Sequence, residues 1–276
     1  MPPSNTRTTE PARGLRTAHY VLLATATTTL AIVLRSGYTF GLFDQIVYAV
    51  HGIALADPTA FANDWFARSV PQPHWLFDAL TYLGARFDVL PVVYLVYWLA
   101  GIAVFAVGSV WLVDRFLPGR RSLSLALGPL VALGPAGALG STTPLLWFAD
   151  PHMLGGCIAF LALAAILTGR WRWAAVAALA AMAVHVQHGA NLAPVFLLAA
   201  VLGKAEPPRQ RWLLAGTAAG LLATAPLIAV WRGIETGGDE WLTICRDIIP
   251  FHCYAPSWSA GILAGGAAVI ALALAL

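Results

Sequence analysis

The side chains of this 276-residue chain that can move protons or hold a cation fall in a few short polar stretches. Asp44 follows Gly41-Leu42-Phe43, with no cation evident beside it. Asp64 stands in Asn63-Asp64-Trp65-Phe66. Asp150 and His152 close a third stretch, and His185, His188 and Asn191 form a fourth. A carboxylate within hydrogen-bond reach of a hydroxyl can act as a general base. Imidazoles with a carboxylate can hold a divalent metal. An unpaired charge is costly to bury, so Asp44 is the first candidate for a functional acid and Asp64 the second. A helix cap or a surface carboxylate accounts for Asp64 equally well.

Other polar residues have plainer explanations. Asp57-Pro58 and Asp150-Pro151 read first as helix caps followed by proline at the first helical position. His74, Asp78, Tyr82 and Arg86, spaced by four, read as a solvated helix face. His185 and His188 share a face at helical spacing, and with Asp150 and His152 they are a conceivable metal set. No second ligand pair has a fixed offset, however. Histidines hydrogen-bonded at a wet helix end are therefore the preferred reading, and no cofactor is assigned. Cys245 and Cys253 are compatible with a disulfide or with two free thiols, and Cys157 reads as packing. No Gly-rich phosphate loop, Ser-His-Asp signature or Cys-x-x-Cys pair is present.

The elements that must carry these residues follow from composition. Hydrophobic residues make up 59% of the chain and charged ones 11%, against about 45–50% and 25% in soluble domains. Mean hydropathy is +0.74. That excludes a water-soluble enzyme and a disordered tail. The net charge of +3, without a basic patch interleaved with aromatics, excludes a nucleic-acid binder. The expectation is an all-α, polytopic membrane bundle, since a span needs around 20 helical residues. Apolar runs near 18–35, 89–113, 123–140, 153–168, 173–187, 190–203, 212–231 and 259–276 give about eight spans. Residues 1–17 are then a cytoplasmic tail and 18–276 the membrane domain. A long first outer loop, 36–88, carries two flat amphipathic helices, Leu42–Leu55 and Pro73–Phe87. The Ala-Leu repeat that ends at Leu276 reads as the interior of a longer protein.

Charge sets the orientation. With the N-terminus inside, the inner segments hold Arg7, Arg13, Arg16, Arg115, Arg120, Arg121, Arg170, Arg172, Lys204, Arg209 and Arg211, against Glu10, Asp114 and Glu206. This obeys the positive-inside rule and points to a bacterial inner or plasma membrane. The outer loops hold most of the acids and every histidine but His19. Merging the runs 173–187 and 190–203 would put Lys204, Arg209 and Arg211 outside, so a break between them is expected at His185–Asn191.

The first span leads into Gly37-Tyr38-Thr39-Phe40-Gly41 and Asp44-Gln45. Ala56-Asp57-Pro58, Asn63-Asp64-Trp65-Phe66 and short spans broken by Gly and Pro follow. In this the chain resembles the GT-C type of multi-spanning membrane glycosyltransferases. The resemblance implies transfer of a sugar from a polyprenyl-phosphate-linked donor at the outer face, with the bilayer and that donor as partners. Asp44 matches the family's early acid, and Asp64 is a second. The family's adjacent acidic pair and soluble C-terminal domain are missing, which opens the alternative of a degenerate relative. The leaving phosphate needs positive charge, which Arg35 or Arg68 can supply. His51, Asp150, His152 and His188 are the further candidates for binding substrate. A transporter or flippase and an inactive scaffold are the competing readings. Spans without ionisable groups count against ion-coupled transport.

Overall fold

A computed structural model of the chain describes residues 10–42, 44–64, 67, 74–133, 146–202, 207–233, 243 and 247. Among these it is all-helical, with no strand. The helices are α1 (Glu10–Ser36), α2 (Asp44–Ala56), α3 (Trp75–Arg86), α4 (Leu90–Phe116), α5 (Ser124–Leu133), α6 (Pro151–Leu167), α7 (Trp171–Val184), α8 (Val186–Leu202) and α9 (Pro207–Gly233).

Local chemistry sets the ends. Pro91 lies in the first turn of α4, where its missing N–H costs nothing. Asp150 caps α6, its side chain accepting from the Met153 amide at 2.6 Å, with Pro151 beginning the helix. This is the capping expected of that Asp-Pro pair. At the other end of α6, Gly169 takes φ +75°, the left-handed geometry of a helix C-cap. The chain there turns back into α7.

The helices pack as neighbours in sequence and across it. α6 pairs with α7, α8 with α9, α4 with α6, α2 with α3, and α1 with α4 and α5. One core gathers Phe77, Tyr94, Trp98, Ile102 and Leu146. Trp98 donates its indole N–H to the Leu146 carbonyl at 3.0 Å, which pins the segment 146–150 onto α4. A second core, among α6 to α9, is built of alanines such as Ala162, Ala174, Ala178 and Ala181 around Phe196 and Leu213. Small side chains let helix backbones approach closely, as in membrane bundles.

The break expected between α7 and α8 is present and sharp. His185 alone leaves the helical region, with φ −149° and ψ 104°. The chain folds back so tightly that a Cβ on Gly189 would lie 2.7 Å from the Met182 Cα. Among the described residues, two helices, Arg16–Ser36 and Leu90–Phe116, are long and apolar enough to cross a membrane. α6, α7 and α8 have 17, 14 and 17 residues, short of the span length of about 20. Large apolar side chains point outward on several helices, including Leu22 and Leu34 on α1, Val96 on α4 and Val201 on α8. The run 259–276 and the cysteines Cys245 and Cys253 lie outside the described residues.

Two expectations for the first loop need correction. Residues 58–63 form turns, not a helix. Asp57 accepts instead from the Thr59 amide at 2.9 Å and the Thr59 hydroxyl at 2.6 Å, the local turn that Asp favours. His74, just before α3, and Asp78 within it are buried, 6% and 5% exposed, because α2 covers that face. Four-residue spacing marks a polar stripe but does not tell whether water or another helix faces it.

Candidate functional site

The two ends of the bundle differ in chemistry. At one end, Arg115 of α4, Thr168 and Gly169 of the α6–α7 turn, Trp171 and Arg209 line a common cavity. Arg209 stacks its guanidinium 4.0 Å from the Trp171 ring centroid, and Arg170 lies 4.7 Å over Trp111. At the opposite end of α6 the carboxylates and imidazoles meet.

Asp44 is exposed as the first residue of α2. A negative charge is favoured there by the helix dipole, so the cost of burial that singled it out does not apply. Its neighbour Gln45 fixes it in place. Gln45 is 1% exposed; its amide N–H donates to the Ala149 carbonyl at 2.8 Å, and its carbonyl accepts from the Gly41 amide. That joins the first loop to the segment before α6. The Asp44 charge is close enough to act on both Tyr48 and Asp150. Burial, chiefly, and then Asp44 raise the Asp150 carboxyl to about 7, against the lowering effect of the Met153 amide. Burial, then Asp44 and Asp150, push the Tyr48 phenol up to about 12.

Next to Tyr48 begins a chain of imidazoles. Tyr48 and His74 meet edge to face with centroids 4.7 Å apart, and His74 lies 4.7 Å from His185. His185 is 4.6 Å from His188 and 5.8 Å from His152. The Nε2 of His188 is 3.0 Å from the Nδ1 of His152. Ligating atoms of His152, His185 and His188 all lie within 4.8 Å of one another. Burial, and for His185 also its imidazole neighbours, lowers the basicity of His74 and His185. Both rings are therefore neutral near pH 7.

The remaining candidates sit apart from this group or serve it indirectly. His51 does not reach Asp44; its Nδ1 is 3.1 Å from the Asp78 carboxylate. Asp64 is exposed and accepts from the Ala67 amide at 2.9 Å, as a local cap does. Arg35 donates to the Ala132 carbonyl at the end of α5. Arg68 lies outside the described residues.

No family model matches this chain, and no curated protein and no solved structure matches it. The site is therefore read on its own geometry. Sequence reasoning missed three members: Tyr48, His74 and Gln45. Tyr48 and His74 were visible only as polar positions on amphipathic helices. A glutamine directly after a candidate acid was the one local sign of a positioning residue.

Proposed function

We propose that the protein is an integral membrane transferase of a sugar from a polyprenyl-phosphate-linked donor, with Asp44 as the general base. One observation supports this above the others. Gln45 ties the Asp44 loop to the segment ending in Asp150, so acids and imidazoles from distant stretches share one end of the bundle, away from the cavity lined by Arg115 and Arg209. A lipid-phosphate donor keeps its scissile bond at the membrane surface, and catalytic groups must gather there too. In this reading the arginine-bearing end faces the cytoplasm by the positive-inside rule. The outward apolar side chains of α1, α4 and α8 face lipid, and the shorter helices complete a set of about eight spans.

Asp44 suits the role because it is exposed, charged and held from behind. It takes the proton of an acceptor hydroxyl as that oxygen attacks the sugar. Asp150 is occupied as the cap of α6 and serves by shaping the site. Arg35, at the end of α1, is a described cation on the first-loop side that can meet the leaving phosphate. The test is sugar transfer in proteoliposomes supplied with polyprenyl-phosphate-linked donors. Asp44→Asn is expected to insert normally and to lose transfer. Transfer at the wild-type rate would remove Asp44 as base, and uptake of substrate without bond cleavage would replace the transferase with a transporter.

A further inference from the structure

Three imidazoles converge from separate parts of the chain at the site end. His152 comes from the first turn of α6, His185 from the break between α7 and α8, and His188 from the first turn of α8. We propose that His152, His185 and His188 form a binding site for a divalent transition metal of the zinc class. The site is independent of the sugar-transfer reading and does not need Asp44.

Geometry carries the proposal. A tetrahedral zinc with bonds of about 2.0–2.1 Å to nitrogen sets its ligands about 3.3 Å apart. The pair His188 Nε2 and His152 Nδ1 is already at 3.0 Å, and the whole trio fits within 4.8 Å. Binding would draw the His185 nitrogen in toward the other two. Without a metal, those two nitrogens share one proton in a hydrogen bond. With a metal, both lone pairs turn to the cation.

Two further observations point the same way. The Nδ1 of His185 is buried without a hydrogen-bond partner, and so is the Nδ1 of His74 behind it. Buried polar atoms in native proteins are paired as a rule, so a buried imidazole nitrogen without a protein partner, on a ring beside two other imidazoles, is available to a ligand. A glycine, moreover, makes the room. A Cβ on Gly155 of α6 would stand 2.6 Å from the His185 Cβ and 2.9 Å from the His188 Cδ2. The helix is bare where the rings crowd.

The donor set also selects the ion. Three imidazoles suit zinc, copper, nickel and iron, whereas magnesium and calcium prefer oxygen. Asp150, the nearest carboxylate in sequence, is committed to the Met153 amide. Three histidines leave a fourth position for water or a substrate oxygen, the pattern of catalytic zinc sites. His152 is partly exposed, so that position opens toward solvent.

The experiment uses the purified full chain in detergent, stripped with chelator and titrated with Co²⁺. The expected result is one Co²⁺ per chain, with the intense visible absorption of tetrahedral coordination, displaced by Zn²⁺. X-ray absorption of the Zn²⁺ form is expected to show imidazole nitrogens at about 2.0–2.1 Å. His152→Gln and His188→Gln should each weaken binding by at least about tenfold, while His51→Gln leaves it unchanged. Failure of the wild-type chain to bind one equivalent, or an all-oxygen shell, overturns the site whatever the variants do. Wild-type affinity in a folded His152→Gln/His188→Gln double variant overturns it as well. Loss of sugar transfer in Asp44→Asn has no bearing on any of these readouts.

Discussion

His188 Nε2 and His152 Nδ1 stand 3.0 Å apart across 36 residues of chain. The contact locks the first turn of α8 to the first turn of α6. It exists only because the chain doubles back at His185 and because Gly155 has no side chain.

Gly155→Ala should therefore be a damaging small change at this end of the bundle. Its Cβ would meet the His185 Cβ, which the backbone holds in place, and the ring of His188. Overpacking of this kind costs about 1–3 kcal/mol. Gly101→Ala is the comparison, since its new Cβ meets the flexible end of Met153. Thermal unfolding in detergent should show a larger drop for Gly155→Ala, accompanied by weaker Co²⁺ binding. Equal losses would show that the imidazoles can yield.

Gln45 offers a second test. Replacing it with Leu leaves the Ala149 carbonyl and the Gly41 amide without the partner that Gln45 supplies. Each unsatisfied buried group costs about 1–3 kcal/mol. The first loop should then loosen from the segment 146–150. Limited proteolysis near residues 37–44 should speed up, and sugar transfer should fall although Asp44 is intact. Unchanged proteolysis would mean that the loop is held by something else.

How far the sequence anticipated these arrangements depends on the range of the interaction involved. α4 was legible, expected at 89–113 and found at Leu90–Phe116, because an unbroken apolar run needs no partner to declare itself. The Asp150 cap was legible for the same reason: donor and acceptor are three residues apart. The break between α7 and α8 followed from charge placement on either side. His74 and Asp78 were misread as solvated because their covers, Tyr48, His51 and His185, come from other helices. The imidazole trio was half legible. His185 and His188 share a face by spacing, but only the packing of α6 on α7 and α8 brings His152 to them.

Asp78 gives a pH test outside the helices expected to span the membrane. Burial raises its carboxyl pKa above the ordinary value, and the hydrogen bond and charge of His51 on α2 partly offset this. Tyr94 on α4 is a further titratable group in its field, and His74 lies one turn before Asp78. A carboxyl with a raised folded-state pKa favours the fold while it is protonated. That contribution is complete below the unfolded value of about 3.9 and is lost as pH rises through the higher folded value. Unfolding temperature should fall along that rise, and Asp78→Asn should flatten this arm of the profile. Superimposable profiles for the two proteins would mean that Asp78 titrates as a free carboxyl.

The direction of threading decides whether the site end can meet an outward-facing lipid donor. Arg120 follows α4 at the arginine-bearing end, and Asp64 belongs to the first loop. Arginines are held back on the cytoplasmic side because moving them across is costly, so the two positions should face opposite compartments. In a background with the native cysteines replaced, an impermeant thiol reagent added outside intact cells should label Asp64→Cys and spare Arg120→Cys. Breaking the membrane should expose Arg120→Cys to the same reagent. The reverse pattern would put Asp44 and the histidines in the cytoplasm, out of reach of a donor at the outer face. The transferase reading would fall, while the three-imidazole site, which depends on packing alone, would stand.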